Sequence, residues 1–296
     1  MSRPGPVRAR SEYMLFRVAR GLAGLLPFER RPALGARLVR TIIAANGRLT
    51  ARVDNNLKLV MPELDAEGRA RVRREMAGNF GRTFVEILDN PEFHAARIWL
   101  APEPGAGVDA IRSAARNGTG AILVTGHFGQ WEAGRAWMKS EGISCSGVYR
   151  AIDNPHINEV YVRNLEFGGS PVFPKTGRGI RALVAHVARG GIVAILTDQY
   201  QHRAGTLDFL GHPAPTALLP AELALKFGVP LIPIYGIRQP DGAHVQVVVE
   251  PPITPGTSSE MMQAANDSLA ARIRDHPGQY YWLHRRWKKK FDASAL

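Results

Sequence analysis

The segment TGHFGQWE, Thr125 to Glu132, sets a histidine and an acid five residues apart beside two glycines, directly after the apolar run AILV. A fold does not need these polar groups there, so the pattern points to chemistry. Gly126 and Gly129 permit a tight turn from strand into helix. Within one continuous helix an offset of five puts side chains about 140° apart, and the two would not meet. With His127 in the turn and Glu132 in the first helical turn, the carboxylate is expected to reach an imidazole nitrogen. That fixes the tautomer and leaves the other nitrogen as an acceptor. The nearby helix N-terminus disfavours imidazolium and keeps the base neutral. There is no GxSxG pattern, and Cys145 lies inside an apolar strand-like run. The hydroxyl to be activated therefore belongs to the substrate, and the expected chemistry is direct transfer onto an alcohol. The same pair acting on water would be a hydrolase; these residues leave both open. Backbone N–H groups around Gly126 and Gly129 are expected to hold the developing oxyanion.

Other polar residues follow apolar runs in the same way. SGVY leads to Arg150, and IVAILT to Asp198 and Gln199. Three strands ending in histidine, arginine and aspartate suggest one cleft beyond the carboxyl ends of a sheet. Arg150 suits bidentate binding of a phosphate or sugar carboxylate; the alternative is an internal pair with Asp198 or another acid. Asp198 is expected to hold Arg150 or shape the cleft, without a part in proton transfer. Arg285 and Arg286 would contact phosphate or lipid headgroups, His284 and Trp282 would pack, and His156 would start a helix.

The elements that must position these groups alternate helix and strand from about residue 106. VDAIRSAARNG, NPHINEVYVRNLEFGG and GIRALVAHVARGG read as helices; AILVT, ISCSGVYR, IVAILT and PLIPIYGIR read as strands. HVQVVVE follows a short turn and reads as an antiparallel strand. The fold class is α/β: a mixed, mostly parallel sheet flanked by helices. Residues 51–296 form a single domain of this kind, ending in a helix from DSLAARIRD to WKKKF, and residues 1–50 form basic amphipathic helices at a membrane interface.

Charge distribution supports that last assignment. The chain has 296 residues, 45% hydrophobic, one cysteine and a net charge of +12. Residues 1–52 hold eleven arginines, no lysine and only Glu12 and Glu29 as acids, and RRWKKK adds a second basic cluster. In SEYMLFRVARGLAGLLPF, Arg10, Arg17 and Arg20 are expected on one side of a helix, with Leu15, Ala19, Leu22 and Leu26 on the other. The arginines interrupt the apolar run, which disfavours a spanning helix or a signal peptide and favours a helix lying in an anionic leaflet. A helix packed on its own domain with a basic outer face is the alternative. One cysteine excludes an intrachain disulfide and fits a reducing, cytosol-facing location. No clustered Cys/His pattern suggests a metal. The basic composition also raises nucleic acid as a partner, but no binding motif accompanies the charge.

GHFGQWE resembles the His-x-x-x-x-acid signature of the lysophospholipid acyltransferase-like superfamily, in the glutamate form of the late lipid A acyltransferases. NNLKLVMPEL, VYRAIDNPHIN, ILTDQY, GTLDFLGHPAPT and HPGQYYWLHRRWK resemble further family blocks, the GTLDFLGHPAPT block being a loop. Together they cover about residues 50–290 in order. Gly278 stands where the family often has glutamate. The resemblance implies an acyltransferase-like fold and an O-acyltransferase of lipopolysaccharide biosynthesis. It implies acyl carrier protein as partner and donor through a phosphopantetheine thioester, no other cofactor, and a phosphorylated glycolipid acceptor. It also implies work at the cytoplasmic face of the bacterial inner membrane, with Glu132 orienting His127. A related enzyme using acyl-CoA on a phosphatidylinositol mannoside or an aminolipid is the alternative.

Overall fold

The computed structural model describes residues 4–200 and 205–287. Five helices come first: α1 (Pro6–Gly24), α2 (Arg31–Ala45), α3 (Gly47–Val60), α4 (Ala66–Leu88) and α5 (Asn90–Ala96). The chain continues through β1 (Trp99–Leu100), α6 (Ala106–Asn117), β2 (Ala121–Thr125), α7 (Ala133–Ser140), β3 (Cys145–Tyr149), α8 (Pro155–Gly168), β4 (Val172–Pro174) and α9 (Gly177–Ala188). Then follow β5 (Ile192–Leu196), β6 (Gly205–Phe209), β7 (His212–Thr216), α10 (Leu219–Phe227), β8 (Leu231–Arg238), β9 (Val245–Val249) and α11 (Ser258–Asp275). Helix starts carry side-chain caps that take up otherwise unpaired N–H groups: Asp65 for α4, Asn154 for α8, Thr176 for α9 and a reciprocal Thr257–Glu260 box for α11.

The main sheet runs β1-β9-β8-β2-β5-β3-β4, with only β8 and β9 paired antiparallel. This is the mixed, mostly parallel sheet expected, flanked by helices. Strand β2 is buried along its length and β5 through Ala194, and the two pair from Ala121↔Ile192 to Thr125↔Leu196. One face packs on α6 and α7 through Leu123, Ala194, Ile232 and Trp137. The other packs on α9, α10 and α11 through Val124, Val193, Leu183 and Met262.

The sheet splits near its middle. Strands β3 and β5 pair from Cys145↔Ile192 to Gly147↔Ala194 and no further. Beyond that, Val148 and Tyr149 pair with β4, whereas Ile195 and Leu196 pair with β2. A gap therefore opens between the two strands at their carboxyl ends.

Two expectations need correction. The closing helix stops at Asp275, because Pro277 cannot continue it; a short 3₁₀ turn and irregular chain follow to Trp287. Lys288, Lys289 and Lys290 lie outside the described residues. GTLDFLGHPAPT is not a loop but the β6–β7 hairpin, turned by Leu210 and Gly211, both at positive φ. Prolines 213 and 215 are tolerated because this is a separate two-stranded ribbon.

Helix α1 meets the body in an unexpected orientation. Ala9 is buried, Arg20 donates to Asp89 at 3.2 Å, and Asn154 donates to the Ala9 carbonyl at 2.9 Å. Leu15, Leu22 and Leu25 on the opposite side are 72%, 63% and 81% exposed. Arg20 thus belongs to the inner face, against expectation, and the outer face is apolar. No helix among the described residues is long and apolar enough to cross a membrane.

Candidate active site

Parallel register places the first pair of groups. Thr125 and Leu196 are partners at the ends of β2 and β5, and His127 and Asp198 each stand two residues further on. Asp198, wholly buried, accepts from His127 twice: from its backbone N–H at 3.0 Å and from Nδ1 at 2.8 Å. A carboxylate only accepts, so Nδ1 donates to it, and an amide NH₂ only donates, so Nε2 is the accepting nitrogen of the ring. Nε2 faces the Gln199 amide nitrogen at 3.4 Å. Burial acts to raise the Asp198 pKa, but the charge of His127 and the hydrogen bonds from it outweigh burial and hold the carboxyl well below the usual range.

The expected contact between His127 and Glu132 is not made. Glu132 is buried at the start of α7 and pairs with Arg135, one turn further along. Arg135 also donates to the carbonyls of Cys145 (3.0 Å), Leu165 (3.0 Å) and Gly169 (2.7 Å). The carboxylate therefore neutralises a buried cation that ties α7 to β3 and α8, and Asp198 takes the orienting place beside the imidazole. Asp198 does not hold Arg150, which is exposed and pairs with Asp153 at 3.0 Å.

The turn carrying His127 is clamped by α4 and by the irregular chain after α11. Asn79 and Thr83 donate to the Gly129 carbonyl at 3.1 and 3.0 Å, and Gln130 donates to Glu86 at 3.0 Å. Glu86 is held in turn by Arg238. Gly129 sits at φ +55 with its α-carbon pressed on the Gly236 carbonyl, so no side chain fits. Gly126 is close-packed on Leu269. The N–H groups of His127, Phe128, Gly129 and Gln130 all donate within the protein, to Asp198, Gly126, Gln279 and Gly236. They are consumed by the fold, which removes these turn amides, Gly129 included, from the oxyanion role expected of them.

His284 was expected to pack, and it does so directly on the site. Its ring lies 4.6 Å from that of His127, with Nε2 3.8 Å from Asp198 Oδ2. Burial, the main cause, pushes its pKa down to about 4. His127, Asp198 and His284 have the residue types and spacing to ligate a metal ion. The 2.8 Å Nδ1–Oδ1 contact is a hydrogen bond, so neither of those two atoms is turned to a shared ion. Arg286 is fully buried: it donates to Thr216 at 2.7 Å and to the Pro215 carbonyl, and lies over Phe209. It is structural and cannot reach a substrate or headgroup as expected; Arg285 beside it is exposed. A carboxylate does reach Gly278, from Glu75 of α4.

His127 opens on a cavity of about 510 Å³ at the split between β3 and β5. Its walls are mainly apolar, with Trp131, Tyr161, Leu165 and Leu196 among them. Gln199, Arg150 and the exposed Lys175 add polar groups to the lining. The sequence could have revealed Asn79, Thr83 and Glu86: polar residues at i, i+4 and i+7 share one helix face, which has to meet something polar.

This combination defines an α/β protein with a carboxylate-oriented imidazole at the mouth of an apolar cavity. The profile of the family described as bacterial lipid A biosynthesis acyltransferase matches residues 8–289, and the chain belongs to that family. It is 27% identical over 280 residues to the lipid A biosynthesis lauroyltransferase of Escherichia coli, covering 90% of this chain and 87% of that one. It is 24% identical over 273 residues to the phosphatidylinositol mannoside acyltransferase of Mycolicibacterium smegmatis, covering 86% and 90%. The Mycobacterium tuberculosis protein of the same name is 25% identical over 214 residues, covering 71% and 68%.

Proposed function

We propose that this chain transfers a fatty acyl group from an acyl-carrier-protein thioester to a hydroxyl of a phosphorylated glycolipid of the lipid A type. The observation that carries the reading is the Nε2 lone pair of His127, oriented by Asp198 and facing the apolar cavity. Nε2 takes the acceptor's hydroxyl proton as the oxygen attacks the thioester carbonyl; the tetrahedral intermediate collapses and the phosphopantetheine thiol leaves with the proton from His127. Asp198 stabilises the transient imidazolium. With the amides of residues 127–130 occupied, Arg150 and Lys175 supply positive charge for the carbonyl oxygen or for an acceptor phosphate.

The reaction takes place at an anionic membrane surface, the cytoplasmic face of a bacterial inner membrane. Support comes from α1 and its C-cap, where the apolar residues Val7, Leu15, Val18, Leu22 and Leu25 fall within an arc of about 100° on the side away from the body. Arg10 and Arg17 lie along one edge of that arc. A soluble helix would bury this stripe, whereas an interfacial one inserts it among acyl chains and leaves the arginines at the headgroups.

The second reading, an acyl-CoA-dependent enzyme acting on a phosphatidylinositol mannoside or an aminolipid, is favoured by the comparable identity to the mycobacterial proteins. Product masses from all pairings of carrier-protein or coenzyme A thioesters with phosphorylated glycolipid, phosphatidylinositol mannoside or aminolipid in vesicles decide between them. Acylated phosphorylated glycolipid from the carrier-protein thioester, lost in His127→Ala, is the expected result. Products only from coenzyme A and another lipid would replace the first reading by the second.

A further inference from the structure

The split between β3 and β5 has a defined bottom. Gly147 and Ala194 are the last register pair before the strands part, and both line the cavity. Gly147 brings no side chain, and beneath it lies the Arg135 guanidinium: a β-carbon at this position would stand 3.5 Å from Cζ and Nη1. That guanidinium cannot yield. It is buried, paired with Glu132 and bonded to three backbone carbonyls. An alkyl chain gains by displacing water from the apolar walls, but pushing into a buried ion pair would leave charges unsatisfied.

We propose that Gly147, backed by Arg135, is the floor against which the donor's acyl chain is measured, and so the residue that sets chain-length preference. The proposal rests on the acyl-transfer reading above. From Ala194 to Asp198 is four residues, about 13 Å of strand rise. A tetrahedral chain of 1.5 Å bonds advances about 1.25 Å per carbon, so roughly ten carbons fill that depth. Glu132 thereby gains a role unconnected with proton transfer: it fixes the cation that closes the slot.

The test is the acyl-length profile of the full chain, using saturated acyl-carrier-protein thioesters from eight to sixteen carbons. Wild type is expected to favour chains of about ten to twelve carbons. Gly147→Ala, whose added methyl meets only ordinary contact distances, should move the optimum down by about one carbon and Gly147→Val by two or more. Thermal stabilisation by the same thioesters, read without turnover, should show the same displacement. A profile unchanged in Gly147→Val, uniform loss at every length with the fold intact, or a wild type preferring sixteen carbons overturns the proposal. Transfer with an unshifted profile removes the floor alone, whereas absence of transfer from every thioester, of carrier protein and of coenzyme A alike, removes the acyl-transfer reading as well.

Discussion

Asp198 holds His127 at two points, accepting from its backbone N–H and from its ring Nδ1. Ring and chain are thus locked by one carboxylate. In Asp198→Asn the amide oxygen can accept only one of these bonds, and its NH₂ group disfavours the productive tautomer. The turnover number should fall by about 10²–10⁴ with little change in KM, as steady-state kinetics would show. Near-normal turnover would remove Asp198 from the mechanism.

Glu132→Gln should behave differently. It leaves Arg135 buried without its counter-charge, and breaking such a pair costs about 3–5 kcal/mol of stability. Denaturant unfolding should show that loss, and Glu132→Gln with Arg135→Met should recover part of it. A Glu132→Gln protein as stable as wild type but inactive would return the glutamate to the chemistry.

Stability should fall as pH drops from about 6.5 towards 4. Burial pushes the His94 and His284 pKa values down to about 4, so in that window the unfolded chain binds protons that the folded chain refuses. At pH 5 each ring should cost about 1–2 kcal/mol once partial solvent screening is allowed for. Thermal unfolding across this range should show the slope, and His94→Phe, far from the site among Phe93, Trp99 and Phe167, should flatten it.

Leu15→Glu with Leu22→Glu should weaken binding to anionic vesicles by tenfold or more, on the scale of about 1.5 kcal/mol or more per buried leucine. Because both side chains face away from the body, the unfolding transition should not move. Sedimentation with vesicles measures the first effect and calorimetry the second; unchanged vesicle binding would remove α1 from the membrane contact.

The sequence made some of this legible and hid the rest for physical reasons. AILVT and IVAILT announce themselves because central strands, buried on both faces over β2 and the first three residues of β5, read as continuous apolar runs. That their ends carry His127 and Asp198 is readable; that the two strands are neighbours is not, since α7, β3, α8, β4 and α9 intervene and strand order has no local signal. Local spacing therefore points the histidine to Glu132, the nearer acid in sequence. Arg135 looked like any helical arginine, and only the carbonyls around it reveal burial. The hairpin was obscured by its prolines. Arg286 shows the same limit from the other side, a cation in a basic run that turns inward to Thr216.

The β2–β5 ladder fixes the His127 imidazole and the Asp198 carboxylate before any ligand arrives, so their alignment is inherited from folding and needs no rearrangement at the encounter. One side of the slot is β5 itself, through Ala194 and Leu196, but the walls facing it come from different pieces: β3, α8 and α9. Selectivity is therefore free to drift over evolutionary time while reactivity stays put.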